Sequence, residues 1–336
     1  MRKNKFSLYI IFIILILWFV VFILLPDRTE ITISGQTMGT TYEVKIHNTF
    51  PEKIDFIYKD IDSILISINQ SMSTYISDSE ISFVNKELAS FHSFELSKDF
   101  NHVLDKSLDY YILTGGAFDV TIKPLLKLWG FRGKEVESLP KQSDVNEVMS
   151  YVGSDNIILM NGNLIKKHSN LEIDFGAIAK GYAVDQISDY LTSKDYLAHY
   201  VEIGGEIVCK GKDWNIQIAY PDFLSSKGYK VLSLNNKAIA TSGTYNQLIE
   251  IDDYEYSHIF DPRSGKPSKN NVLSVSVISD KCIDADALST SLKVLGKDKG
   301  INLINSLDGI ECLFILKEDG SLVDYSSSNF SSFLID

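Results

Sequence analysis

Twenty consecutive residues without a charge, Phe6 to Leu25, stand near the amino end, and only Ser7 and Tyr9 among them carry a hydroxyl. Twenty helical residues rise about 30 Å, the thickness of a bilayer's hydrocarbon core. The run therefore predicts a transmembrane helix. Arg2, Lys3 and Lys5 precede it, which keeps the amino terminus cytoplasmic and puts the rest of the chain on the other side. A cleaved signal peptide is the competing reading. The run is longer than the usual apolar region of a signal, and no small-x-small cleavage site follows it. No cysteine lies near its end, so a lipid anchor is not expected. The expectation is an uncleaved single-pass anchor in the cytoplasmic (inner) membrane. Residues 1–5 form its cytoplasmic end, 6–25 the span, 26–36 a linker and 37–336 one extracytoplasmic, periplasmic domain.

About 310 residues after the anchor suffice for one large domain, and no Pro- or Ser-rich linker divides them. The chain has 32 basic and 44 acidic residues, a net charge of −12. Without Arg2, Lys3 and Lys5, 29 basic residues remain against 44 acidic, or −15. Such a surface argues against nucleic acid as a partner. A polyanionic ligand would need local cations or a metal. Cys209, Cys282 and Cys312 form no zinc spacing, and their apolar neighbours predict buried strand thiols. One disulfide is compatible with an oxidising compartment.

Thr40–His47 alternates like a strand. Ile54, Ile57, Tyr58, Ile61, Ile64, Leu65 and Ile68 recur at helical spacing. Ser77-Asp78-Ser79-Glu80 reads as a capping box opening a second helix. Ser97 opens a third, ended by Gly115-Gly116. Asn156–Met160 and Leu164–Lys167 around Asn161-Gly162 predict a hairpin. Ala177–Leu191 reads as helix, and Tyr200 to Val277 as mostly strands with turns at Asn235-Asn236 and Asp252-Asp253. Ala285–Leu295 and Lys299–Ser306 read as helices. A last hairpin, Glu311–Leu316 and Ser321–Tyr325, turns at Glu318-Asp319-Gly320. Helices clustered early and strands late predict an α+β domain, not alternating βαβ units.

Asp174-Phe175-Gly176-Ala177-Ile178-Ala179-Lys180-Gly181 reads as a short strand, a glycine turn and a helix start, which favours an anion such as phosphate. It has neither a Walker A nor a dinucleotide spacing. Asp286 and Thr290, four apart on a helix, share a face, and a carboxylate with a hydroxyl suits a hard cation such as Mg²⁺. Asp284 is placed as that helix's cap. His258, at a strand end before an Asp-Pro turn, has the chemistry of a general base. Asp261 either orients it or caps the turn. Arg263 offers a planar fork for phosphate or carboxylate. Gly115-Gly116-Ala117-Phe118-Asp119-Val120-Thr121 joins a helix to an extended segment. Asp119 and Thr121 share a side of it if it is extended. Tyr75, just past a helix end, has a ring able to stack on a flat ligand or to pack. Thr37–Tyr42, Glu202–Glu206 and Thr241–Tyr245 are further glycine turns. Each motif singly also has an ordinary structural explanation.

Together, TMGTTYEV, MSTYISDSEISFVN, GAFDVTIKPL, DFGAIAKGYAVD, VEIGGEI, ATSGTY, HIFDPRSG and DADALSTSL make a chain that resembles the ApbE family of FAD:protein FMN transferases from about Thr37 to Leu295. The resemblance implies an ApbE-like domain that binds FAD with a divalent metal, usually Mg²⁺, on the pyrophosphate. It implies transfer of FMN to a threonine or serine hydroxyl of an acceptor protein, with AMP released. Matching motifs imply metal ligation by the Asp286 carboxylate, the Thr290 hydroxyl and the Ala177 carbonyl, with Lys180 near the phosphates. Met38, Tyr75, Ala117, Phe118, Asp119, Thr121 and Ile259 would contact FAD. His258 would be the base, with Asp261 as its alternative. Many family members are lipoproteins, and here the apolar helix takes the place of the lipid. The acceptors implied are flavoproteins of membrane redox complexes. An FAD pyrophosphatase yielding FMN and AMP and a membrane-tethered flavin carrier are the alternatives.

Overall fold

A computed structural model describes residues 29–49, 54–133, 136, 138–221, 227–243, 248–251 and 254–335. The apolar run 6–25, its basic flank and the Asp252-Asp253 turn lie outside the described residues. Among the described residues, no helix is long and apolar enough to cross a membrane.

Eight strands build one antiparallel sheet whose spatial order follows the chain. They are β1 (Thr29–Thr37), β2 (Thr40–Thr49), β3 (His199–Ile203), β4 (Glu206–Lys210), β5 (Lys237–Gly243), β6 (Val272–Ser279), β7 (Glu311–Glu318) and β8 (Ser321–Ser326). Residues 29–36, expected as a linker, instead form most of β1. Their alternate apolar residues Ile31 and Ile33 are buried, and Ile33 pairs with Val44 of β2. The hairpin turn is Met38-Gly39, both at positive φ, as a two-residue turn demands.

Among the described residues, six α-helices lie between β2 and β3: α1 (Ile54–Met72), α2 (Glu80–Lys86), α3 (Lys98–Leu113), α4 (Lys123–Leu128), α5 (Gln142–Met149) and α6 (Ala179–Ser193). Two more, α7 (Cys282–Leu295) and α8 (Lys297–Ile304), follow β6. Ile57, Ile61, Leu65, Ile68 and Met72 bury one stripe of α1 in the main core, between the helices and one sheet face. The other face is covered by the hairpin Trp214–Ala219 and Gly228–Leu234, through Trp214, Ile216, Ile218, Leu232 and Leu234. The domain is therefore α+β, as its segregated pattern predicts.

Local chemistry adjusts several expected boundaries. Ser79, not Ser77, caps α2, and it accepts a bond from the Ser82 amide. Glu80 reaches instead to the amide of Ser97, the residue that caps α3. Asn161-Gly162 turns the Ile157–Met160 and Asn163–Lys166 hairpin as expected. Cys209 and Cys312 are buried strand thiols, whereas Cys282 opens α7. All three are free. Thr241–Gly243 continues β5 and is not a turn.

Asp284 does not cap α7. It accepts bonds from the Tyr110 hydroxyl at 2.6 Å and the Lys106 ammonium at 3.3 Å. The cap comes from another helix. Asp185 of α6 accepts from the Cys282 amide at 2.9 Å and the Ile283 amide at 3.0 Å. Asp185→Ala would leave two buried amides unpaired, so a loss of about 2–4 kcal/mol is expected in urea unfolding. A variant as stable as the parent would contradict this.

Lys166 and Lys293 are fully buried cations. Lys166 donates to the carbonyls of Val84, Ser169 and Leu171, and Lys293 donates to the Asn270 side chain. Burial pulls each down to about 8. The unfolded chain keeps these protons up to the ordinary lysine range, so it binds more protons than the folded one above pH 8. Stability therefore rises with pH across that window. Relative to Lys293→Met, the parent should gain about 1 kcal/mol per pH unit between pH 8 and 10. Parallel stability curves for the two would refute it.

Candidate active site

The site forms where α6 and α7 come together. Residues 173–178 are irregular, not a strand. The Asp174 side chain accepts from the Gly176 amide at 2.7 Å, and the Phe175 carbonyl accepts from the amides of Ile178 and Ala179. Lys180 lies in the first turn of α6. Gly181 follows because no side chain fits: a Cβ there would stand 2.4 Å from the Cys282 carbonyl and 2.8 Å from Asp286 Cβ. With the helices this close, the Gly181 amide donates to Asp286 Oδ2 at 2.9 Å. The next amide, Tyr182, returns to the Ile178 carbonyl. The Gly181 amide does not close a bond to Ala177, whose carbonyl stays outside the helical ladder, and Ala177 lines a cavity.

Asp286 and Thr290 both face this cavity from α7, as their spacing predicts. The Thr290 hydroxyl meets the Ser242 hydroxyl of β5 at 2.9 Å, and Ser242 meets Ser289 at 2.8 Å. Across from them, the turn Gly204-Gly205, at φ of 61° and 102°, places Glu206 at the head of β4. Glu206 Oε1 lies 2.5 Å from Lys180 Nζ. Among the described residues, its Oε2 is buried with no hydrogen-bond partner.

These charges perturb one another. Burial pushes Asp286 above the usual carboxylate range, with Lys180 and the Gly181 amide pulling the other way. Burial raises Glu206 too, and Asp286 adds to the rise against the pull of Lys180. Burial alone would lower Lys180, but Glu206 and then Asp286 hold it above the ordinary lysine value. Two carboxylates thus share one ammonium in a buried cluster.

His258, Ile259, Phe260, Ala117, Phe118 and Asp119 line the same cavity, as do Arg132 and Asp174. Asp119 lines it but its carboxylate is committed elsewhere. It accepts from the amide and hydroxyl of Thr121 and from the amide and hydroxyl of Ser154. This bonding makes residues 119–121 a turn, not the extended segment expected, and Thr121 is buried away from the cavity. Met38 and Tyr75 are not in the lining either. Met38 packs against the main core, and Tyr75 is 81% exposed with Arg132 over its ring at 5.8 Å.

Asp261 faces a second cavity, beside Trp129 and Lys269. Both its carboxylate oxygens accept from the Arg263 guanidinium at 2.8 Å. Burial acts to raise Asp261, but those bonds and the Arg263 amide hold it below its ordinary value. Asp261 therefore locks the turn, with both its carboxylate oxygens committed to Arg263. Glu206, Arg132, Asp174, Ser242 and Ser289 are site residues missed by sequence reading. Asp174, Ser242 and Ser289 lay inside motifs already singled out, and Glu206 carried a signal of its own, a carboxylate directly after a Gly-Gly turn between apolar strands.

The donors fit a hard cation. Asp286 offers a carboxylate, Thr290 a hydroxyl and Ala177 a carbonyl outside the ladder, all oxygens. The unpaired Glu206 oxygen and the excess buried negative charge favour the same conclusion. Among the described residues no cluster of three or more His, Cys, Asp or Glu side chains gathers, so the donors here are a carboxylate, a hydroxyl and a carbonyl.

Oxygen donors line this cleft, with a lysine at a helix start and a histidine on its wall. Residues 38–314 match the model of the ApbE family, and this chain belongs to that family. It is 36% identical to the FAD:protein FMN transferase of Vibrio cholerae over 91% of this chain and 93% of that one. It is 35% identical to the enzyme of the same name from Haemophilus influenzae, over 90% and 91%. Among solved structures it resembles the flavin transferase ApbE from Vibrio cholerae, with a TM-score of 0.84 and 35% identity, over 92% of this chain and all of that one. The flavinyl transferase ApbE of Pseudomonas stutzeri, in its apo form, superposes with a TM-score of 0.82 at 31% identity, over 91% and 97%.

Proposed function

We propose that this protein transfers FMN from FAD to a threonine or serine hydroxyl of an acceptor flavoprotein and releases AMP. The observation that carries the reading is the meeting of Asp286 and Thr290 of α7 with Ala177, in the turn before α6, in one cavity walled by His258. Family membership supports it, because the named relatives are FAD:protein FMN transferases.

In this reading Asp286, Thr290 and Ala177 hold Mg²⁺, which supplies charge neutralisation at the FAD pyrophosphate. Lys180 adds a cation at the same phosphates. The acceptor hydroxyl attacks the flavin-side phosphorus. One P–O bond forms to the acceptor, the bridging P–O bond breaks, and AMP leaves with its phosphate. His258 takes the hydroxyl proton, since Asp261 is held ionised by Arg263 and is the weaker base. Positioning and electrostatics carry most of such a transfer. The cavity is about 270 Å³, at the small end for ligand pockets, so a dinucleotide extends past its mouth. Tyr75 and Met38 belong to that outer part of the reading, where Arg132 links the Tyr75 ring to the cavity wall.

Residues 6–25 serve as the membrane anchor, with the domain extracytoplasmic and the acceptors among membrane redox complexes. A test of the reaction follows AMP by chromatography with FAD, Mg²⁺ and an acceptor carrying an exposed threonine. AMP is expected to equal the acceptor modified, to vanish with EDTA and to return with Mg²⁺. AMP and free FMN without modified acceptor would mean a hydrolase, and FAD left intact would mean a carrier.

A further inference from the structure

We propose that Glu206 is a second acidic ligand of the cation site: Oε1 clamps Lys180, and Oε2 is offered to the cation. The inference rests on the reading of Asp286, Thr290 and Ala177 as that site. Glu206 is only 3% exposed, lines the same cavity as those three residues, and has one oxygen without a hydrogen-bond partner among the described residues. A buried carboxylate oxygen with nothing to accept from is costly, and native sites that keep one have a use for it. Backbone geometry fixes it there. Gly204 and Gly205 form a two-residue turn at positive φ, and Ile203 pairs with Glu206 across it. The side chain therefore starts from a rigid sheet end and not from a loop.

Charge counting points the same way. With both carboxylates ionised, as a bound cation would hold them, Lys180, Glu206 and Asp286 carry −1, and Glu206 and Asp286 are 3% and 2% exposed. That sign repels a diphosphate. A divalent cation changes it to +1 and gives both carboxylates a partner. Lys180 cannot do this alone, since its ammonium is already on Glu206 Oε1 at 2.5 Å. The pair then has a division of labour: one oxygen holds the lysine toward the phosphates, and the other holds the cation.

The competing role for Glu206 is a purely structural one, steering Lys180. Mn²⁺ binding to the full chain in detergent, read by electron paramagnetic resonance without FAD, separates the two. Glu206→Gln keeps the shape and is expected to weaken Mn²⁺ binding about tenfold or more. Lys180→Met should leave Mn²⁺ binding unchanged or tighter. Adding Glu206→Gln to Lys180→Met should weaken it by the same factor as in the parent. Unchanged affinity in Glu206→Gln, or a loss that disappears once Lys180 is gone, overturns the proposal. Asp286→Asn serves as the reference. If it loses Mn²⁺ while Glu206→Gln does not, only the Glu206 assignment fails. If neither matters, or the parent binds no Mn²⁺, the cation site fails with it.

Discussion

Asp286→Asn is expected to lower FMN transfer on the order of a thousandfold while the unfolding midpoint stays level or rises. The two halves of that result come from the same geometry. Asp286 makes no direct ion pair with Lys180, which contacts Glu206 instead, so its carboxylate is open to a cation at Thr290 and Ala177. Removing it removes the means of neutralising the pyrophosphate. The fold loses little, because an asparagine oxygen can still accept from the Gly181 amide. It also gains, because a buried carboxylate facing Glu206 is neutralised. Steady-state kinetics and thermal melts of parent and variant, side by side, check both. Transfer that survives both Asp286→Asn and EDTA would remove the metal from the account.

His258→Ala should slow turnover by about 10²- to 10⁴-fold, the usual worth of a general base, with FAD affinity changed no more than about threefold. A neutral hydroxyl attacks phosphorus poorly, and the competing base, Asp261, is held ionised by two guanidinium bonds. Flavin fluorescence titration gives affinity and single-turnover transfer gives the rate. Equal losses in the two would make His258 a binding residue. Asp261→Asn is the companion. It should destabilise the turn through Arg263 and leave the pH dependence of transfer in place.

Sequence reading reached the parts of the site encoded in local spacing. Asp286 and Thr290 share a helix face because they are four apart, and His258 lies at a strand end because an Asp-Pro turn follows it. What it missed depends on residues far apart in the chain. Asp185 caps a helix that begins 97 residues later, and nothing local to Asp284 says that the cap is already supplied. Gly181 looks like part of a glycine turn. It is instead a contact point where α6 touches α7, and that contact frees the Ala177 carbonyl. Asp119 lines the cavity as expected, but its bonding to the amide and hydroxyl of Ser154 could not be read from the sequence. The fold class was readable because helices and strands are segregated. The role of residues 29–36 was not, since a strand at the sheet edge is defined by its partner β2. Glu206 is the instructive miss: its identity was plain, but its burial and its unpaired oxygen belong to the assembled fold.

Mass spectrometry of an acceptor flavoprotein after incubation with the full chain, FAD and Mg²⁺ tests the central claim most directly. The account predicts an added FMN on a threonine or serine hydroxyl, AMP in equal amount, and neither product with EDTA or with Asp286→Asn. FMN attached at undiminished yield in the absence of any divalent cation, or FAD consumed with the acceptor mass unchanged across a panel of threonine-bearing flavoproteins, would contradict it.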